Sequence, residues 1–332
     1  MLDQFDGKRI LITGGAGFIG SHLAERLFDQ GALVTLVDDL STGSMDNLHS
    51  LLSRKGVRWV AGSVSNRNLV SELVSQTDAV FHMAAAVGVA LIAKQPIQTI
   101  ERNIEPTQFL LSELAKHHQL GRSIPMFLAS TSEVYGKNPK EVWNEEDDLV
   151  YGSTTKARWS YGVSKAIDEF LALGHFRQSQ LPCVIGRFFN VVGPRQTGAY
   201  GMVLPRFIDA ALAGKSLRVH DDGKQVRCFS HVADILDAIC RLMLTPEAAG
   251  RVFNIGADSP VSMLELANLV IQRTGSSSKV EFQTYQDAYD KDFEDIRRRV
   301  PDLSRLKATI GFAPKYGLEQ IIDDIVAAKR PK

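Results

Sequence analysis

Tyr161 and Lys165 stand four residues apart in Trp159-Ser-Tyr-Gly-Val-Ser-Lys-Ala-Ile-Asp-Glu-Phe, a helix-forming stretch. One helical turn brings both side chains to the same face. A lysine cation beside a phenol stabilises phenolate and lowers its pKa from about 10. A tyrosine so placed can take a proton from an alcohol while hydride leaves the same carbon. An isolated Tyr/Lys pair also fits an exposed helix where the two meet by chance. A second polar group closes an apolar segment at Ala129-Ser130-Thr131-Ser132-Glu133-Val134-Tyr135-Gly136. The Thr131 hydroxyl can bond a reacting oxygen, and Glu133 can act as a carboxylate base or as an orienting group. The same residues also suit a polar turn that caps the next helix.

The hydride acceptor is implied near the amino terminus. In Ile10-Leu-Ile-Thr-Gly14-Gly-Ala-Gly17-Phe18-Ile19-Gly20 a short apolar strand meets glycines at 14, 17 and 20, and a helical pattern (Ile19, Leu23, Leu27) follows. Gly14 permits the tight turn, Gly17 lets backbone approach a pyrophosphate, and Gly20 lets the helix pack closely on the strand. The helix end adds N–H donors and a positive dipole end. A second strand, 32–37, leads into Asp38, where an acid can hold the adenosine ribose hydroxyls. An acid there favours NAD over NADP, whose extra phosphate it repels. Gly14, Gly17, Phe18, Ile19, Gly20 and Asp38 are the expected cofactor contacts, and an oxidised nicotinamide would acidify Tyr161 further.

These residues need a platform. Strands are expected at 9–12, 32–37, 57–61, 79–83, 126–129 and 183–187, separated by helix-sized segments. That alternation predicts an α/β, Rossmann-like doubly wound parallel sheet, with ligands outside the carboxyl ends of its strands. Thr131, Ser132 and Glu133 fall at such an end. Beyond residue 190 the rhythm loosens, and Pro194, Pro205, Pro260, Pro301 and Pro314 punctuate shorter elements. The expected division is an NAD-binding domain over 1–190 and a smaller substrate-binding lobe over 191–332, with segments near 225–258 rejoining the first.

The chain has 332 residues, 44% apolar and 23% charged, which is ordinary for a globular protein long enough for a large domain plus a lobe. Lys+Arg and Asp+Glu balance at 38 each, so neither a nucleic-acid partner nor a membrane surface is expected. Three scattered cysteines suit neither a disulfide framework nor a zinc site, and no metal is expected. No signal segment or membrane-length apolar run is read, so the expected location is the cytoplasm. His117-His118 reads as a solvated helix end, and His82 as a cleft-lining or core histidine.

Together these motifs resemble the extended short-chain dehydrogenase/reductase family that modifies nucleotide sugars, over nearly the whole chain. The resemblance implies bound NAD, a nucleotide-sugar substrate and a homodimer formed through helices at 104–116 and 162–173. Arg187-Phe-Phe-Asn190-Val-Val-Gly193-Pro194-Arg195 is similar to the family's diphosphate loop, and Arg227 falls on a diphosphate-binding arginine. Gly201-Met-Val-Leu-Pro-Arg206 resembles the loop around the nucleobase. Asn103 opens Asn-Ile-Glu-Pro-Thr where relatives read Asn-Val-x-Gly-Thr, and Ser63 replaces an aspartate that touches adenine in relatives; the resemblance thereby adds Ser63, Ala84 and Lys165 to the expected cofactor contacts.

Within the family, Ser132 stands where 4,6-dehydratases carry an aspartate, which counts against loss of water. Thr131-Ser132-Glu133 looks more like UDP-glucuronate decarboxylases. The run Lys156-Ala-Arg158-Trp159-Ser-Tyr161 and the Arg299-Val-Pro301 setting resemble related decarboxylases. The chemistry fits a uronic acid, because a C4 ketone lies β to the C6 carboxylate, and β-keto acids lose carbon dioxide through an enolate. Arg158 and Arg299 are the candidates to bind that carboxylate or the enolate, since a guanidinium fork suits a carboxylate better than a lysine does. Arg299 also fits plain diphosphate binding. A UDP-hexose or UDP-glucuronate 4-epimerase would use the same Tyr161, Lys165 and Thr131. A non-enzymatic NAD-sensing protein needs no such acid/base pair.

Overall fold

Short aliphatic runs between helix-sized segments build a seven-stranded sheet in a computed structural model that describes residues 5–86, 95–199, 201–285 and 295–330. In chain order the strands are β1 (Arg9–Thr13), β2 (Leu33–Asp38), β3 (Val57–Ala61), β4 (Ala79–His82), β5 (Met126–Thr131), β6 (Cys183–Phe188) and β7 (Arg251–Ile255). Their spatial order is β7-β6-β5-β4-β1-β2-β3, with every neighbouring pair parallel. The order reverses between β1 and β4, which opens a crevice at the carboxyl ends of those strands.

Parallel strands need crossovers that cover both faces. Among the described residues the helices longer than one turn are α1 (Phe18–Asp29), α2 (Arg67–Ser75), α3 (Pro96–Gln119), α4 (Ser160–Ser179), α5 (Val203–Leu212), α6 (Val232–Met243), α7 (Met263–Thr274), α8 (Ser304–Ile310) and α9 (Leu318–Lys329). Leu23 and Leu27 of α1 and Ile235 and Ile239 of α6 bury one face together with Ile12, Leu36 and Phe127. Val70 of α2, Leu110 and Leu114 of α3 and Ala172 of α4 bury the other against Leu11, Val80 and Leu128. Leu11 and Ile12 point to opposite faces, as strand alternation requires. Each fully buried aliphatic side chain contributes roughly 1.5–3 kcal/mol, which makes this sheet the rigid platform of the molecule.

Two differences from the sequence reading have local causes. Helix α3 runs from Pro96 through an internal Pro106, longer than the 104–116 segment expected, because interior proline reads as a helix stop. The carboxy-terminal region also contains small sheets that its prolines conceal. Val226–Cys228 pairs with Pro260–Ser262 and with Arg298–Arg299, and Leu217–His220 pairs with Val280–Gln283. Pro260 opens an edge strand, where proline is tolerated. Helices α5, α7 and α9 pack with these strands around Leu204, Leu266 and Ile322. Among the described residues no helix is long and apolar enough to cross a membrane.

Candidate active site

The turn after β1 is shaped by what cannot be there. Gly14 has φ +69°, and a Cβ on it would stand 2.8 Å from the Ala84 amide nitrogen. A Cβ on Gly20 would lie 2.1 Å from the Gly14 carbonyl oxygen, so α1 can approach the turn only as glycine. Gly17 caps α1 without a side-chain bond, so the helix-end N–H donors face the cleft. Asp38 closes β2, with Oδ1 accepting the Leu40 N–H at 2.8 Å and Oδ2 the Ala16 N–H at 3.1 Å. Burial is the largest influence on Asp38 and pushes its pKa up, against those two bonds. Gly14, Gly17, Phe18, Ile19, Gly20, Asp38, Ser63 and Ala84 line one cleft of about 1430 Å³. Ordinary ligand pockets hold roughly 300–1,000 Å³, so there is room for a dinucleotide and a second ligand beside it. The glycine cradle, the helix end and the ribose-facing acid fit NAD.

The same cleft is lined by Thr131, Ser132, Glu133, Arg158 and Tyr161. Thr131 ends β5, and its hydroxyl accepts the Glu133 N–H at 3.2 Å. Tyr161, on the first turn of α4, is buried with its phenol bonded to the Thr131 hydroxyl. Burial raises the phenol pKa, as does the Glu133 charge, while the Thr131 bond and Arg158 oppose the rise. Lys165 follows one turn later on the same helix; its Nζ donates to Asp168 Oδ2 at 2.8 Å, and it is not among the residues that line the cleft. A buried ammonium seeks an anion, and Asp168 lies within one turn of the same helix.

Glu133 sits between two guanidiniums. Its Oε2 is 2.5 Å from Arg158 Nη1, and its Oε1 accepts from Arg299 Nη1 at 2.6 Å. Burial acts first and upward on its carboxyl but is outweighed by Arg158 and Arg299, and the pKa falls to about 2. A carboxylate gripped by two guanidiniums suits the orienting role, one of the two expected of Glu133. Because the folded pKa lies below the ordinary 4.5, the clamp stabilises fully above that pH. The contribution is lost as pH falls towards 2. Two cations against one anion leave a net charge of +1 here. Arg158 Nε and Arg299 Nε have no hydrogen-bond partner.

The other arginines part company. Arg227 is buried and lines the cleft, with Nη2 3.1 Å from Asp295 Oδ1. Burial, then Arg299, lowers it to about 10 against the pull of Asp295. The Tyr285 hydroxyl also donates to Asp295. Asn190 Nδ2 donates to the Cys228 carbonyl at 2.8 Å, and Arg206 lines the cleft from α5. Arg195 reaches the cleft wall, but its guanidinium is committed to Glu25 at 2.7 Å. His82 is a satisfied core histidine: Nδ1 is 2.7 Å from Thr13 Oγ1, Nε2 3.1 Å from Thr107 Oγ1, and burial lowers its pKa to about 3. The sequence reading missed Asp168, Asp295 and Tyr285. Asp168 carried a signal, an acid three residues after Lys165.

Fold and site define a dinucleotide-binding enzyme of the extended short-chain dehydrogenase/reductase class. Residues 11–325 match the family model described as GDP-mannose 4,6 dehydratase, and the chain belongs to that family. It is 42% identical over 320 residues to a UDP-N-acetyl-alpha-D-glucosaminuronate decarboxylase of Bacillus cytotoxicus, covering 96% of this chain and 97% of the relative. It is 32% identical to UDP-glucuronic acid decarboxylase 1 of Xenopus tropicalis, over 96% of this chain and 71% of that protein. A Bacillus cereus UDP-glucuronic acid 4-epimerase, solved with UDP-glucuronic acid and NAD, superposes with TM-score 0.85 at 26% identity. The match covers 96% of this chain and 98% of the epimerase.

Proposed function

We propose that this chain oxidises a UDP-linked uronic acid at C4 with bound NAD and releases C6 as carbon dioxide, on UDP-glucuronate or its 2-acetamido counterpart. The observation that carries the reading is the Arg158–Glu133–Arg299 clamp in the same cleft as Thr131 and Tyr161. Its surplus positive charge and open Nε donors suit a sugar carboxylate, and its place near the phenol puts that carboxylate close to the oxidised carbon. The chemistry NAD supplies when bound is hydride acceptance at C4. Tyr161 takes the C4 hydroxyl proton, and Thr131 orients that oxygen. Arg158 and Arg299 hold the carboxylate with its bond to C5 perpendicular to the new carbonyl. The hydroxyls of Tyr161 and Thr131 then face the oxygen on which enolate charge develops. Asn190, Arg206 and Arg227 bind the UDP moiety. The NAD-binding part is assigned to residues 1–190 with a return near 225–258, and the sugar-nucleotide lobe to the remainder.

The second reading is a 4-epimerase, favoured by the shared Thr131 and Tyr161 and by the epimerase likeness. Incubation with UDP-glucuronate, UDP-N-acetylglucosaminuronate and UDP-glucose separates the two by product mass. Loss of carbon dioxide from a uronate is the expected result, alone where the hydride returns to C4 and together with two hydrogens where the 4-keto sugar is released and the hydride stays on the cofactor; an isomer of equal mass favours epimerisation. Protein that retains NAD but converts none of these sugars overturns both.

Helices α3 and α4 expose Ile97, Ile100, Val163, Ile167 and Phe170, the last 67% accessible. An apolar stripe of this kind is characteristic of a protein interface, and a second copy would complete a two-fold helix bundle. Phe170→Glu is expected to shift the protein from dimer to monomer in sedimentation; a variant that sediments like the parent rejects the interface. The location we assign is the cytoplasm, which buried free Cys183, Cys228 and Cys240 suit.

A further inference from the structure

Glu133 and Arg299 stand 166 residues apart, yet one buried side chain is bonded close behind each of them. Asn254 lies on β7, an edge strand of the sheet, and is fully buried. Its Oδ1 accepts the Tyr135 hydroxyl at 2.7 Å. Its Nδ2 donates to the Trp143 carbonyl at 2.8 Å and to the Asp302 carbonyl at 3.2 Å. The backbone N–H of Asn254 donates to Glu145 Oε1 at 2.8 Å. Tyr135 closes the short turn 132–135 that carries Glu133, and Asp302 comes soon after Arg299 in Arg299-Val-Pro-Asp302. Trp143 joins the two sides by a bridge to Pro301. Its N–H donates to the Val300 carbonyl at 2.9 Å, and its carbonyl accepts the Asp302 N–H at 2.8 Å. Asn254 thus fastens the segment just after Glu133 to the segment just after Arg299.

We infer that Asn254 is a positioning residue whose amide sets the spacing of Glu133 and Arg299, and so the seat offered to the sugar carboxylate. The inference rests on the uronate reading given above. An amide meets all three demands of the place, an acceptor for one phenol and two donors for two carbonyls. An apolar side chain leaves those groups buried without the amide, and a carboxylate turns oxygen towards carbonyl oxygen. The other side of Arg299 is fixed independently, because Arg298 and Arg299 pair with Val226 and Arg227 as strand neighbours. Loss of the amide therefore loosens the reach of the guanidinium rather than the lobe. A shift of about 1 Å in such a group is enough to cost roughly 100-fold in rate.

Asn254→Leu removes the amide at similar volume. Binding is read in the NAD-loaded Tyr161→Phe background, where turnover is suppressed, by calorimetric titration with UDP-glucuronate and with UDP-glucose. The two ligands differ only at C6. The added substitution is expected to weaken uronate binding about tenfold and to leave UDP-glucose within about twofold. With Tyr161 restored, carbon dioxide release should slow relative to C4 oxidation, so that the six-carbon 4-keto sugar accumulates. A merely structural asparagine lowers the melting temperature without changing the preference between the two sugars. Equal weakening of both, or of neither, overturns the inference. Should Asn254→Leu not fold, Tyr135→Phe carries the test, since it deletes only the bond to Oδ1. A several-fold fall in uronate preference then supports the inference, and an unchanged preference overturns it. Arg299→Ala tests the underlying reading. If that variant prefers the uronate as the parent does, Arg299 does not hold the carboxylate, and reading and inference fall together. If Arg299→Ala loses the preference while Asn254→Leu keeps it, the inference alone fails.

Discussion

Tyr161→Phe is expected to lower turnover by roughly 100- to 10,000-fold, the ordinary yield of a positioned acid/base group. The substitution removes one oxygen from a buried ring whose hydroxyl meets the Thr131 side chain in the cleft. It breaks no ion pair, so the melting temperature and the retention of NAD should stay close to those of the parent. The loss should fall on kcat, because the phenol acts on a proton in flight rather than on the bound sugar. Rapid-quench measurement of C4 oxidation over one turnover checks this. A variant within tenfold of the parent would remove the phenol from the chemistry. Because burial and Glu133 both push the phenol pKa up in this structure, the parent's rate should rise with pH until Tyr161 ionises. Tyr161→Phe should erase that limb from whatever activity is left.

How much of this was legible beforehand follows from distance along the chain. The strand, the turn glycines and the helix of the NAD cradle lie within twenty residues, and steric rules constrain each: Gly14 and Gly20 leave no room for a side chain. The sheet was legible too, because a parallel strand buried on both faces is a short aliphatic run that side-chain chemistry alone reveals. The clamp was not. Arg299 reaches Glu133 across 166 residues of chain, and nothing in either neighbourhood says that the acid will be gripped rather than free. The sequence supplied both arginines as binders of a substrate carboxylate and the glutamate as a separate agent. The fold makes them one unit. Arg195 illustrates the same limit, since its pairing with Glu25 depends on a loop and a helix 170 residues apart. Asp168 was missed for a different reason. It lies only three residues from Lys165, but spacing on a helix does not tell that the ammonium will hold an acid. Burial makes the difference, because an ammonium removed from water is stabilised far more by an anion than by a neutral hydroxyl.

Glu133→Gln should separate binding from bond breaking. The amide keeps the volume and removes the one anion between Arg158 and Arg299, so the local charge rises from +1 to +2. Leaving buried cations uncompensated costs about 3 kcal/mol of stability, visible as a lower melting temperature. A uronate restores the missing anion, so its KM should fall, and substrate should recover much of the lost stability. The chemistry should suffer at the same time. Carbon dioxide leaves only as negative charge moves off the carboxylate towards the C4 oxygen, and a doubly cationic grip favours the ground state over that redistribution. We expect carbon dioxide release to slow by about 100-fold. C4 oxidation should persist, and the six-carbon 4-keto sugar should accumulate and be trapped by a carbonyl reagent. A fall in kcat together with a fall in KM is the signature of an interaction that had been kept weak in the ground state. Carbon dioxide evolved at the parent's kcat would show that the charge held by Glu133 has no part in the step.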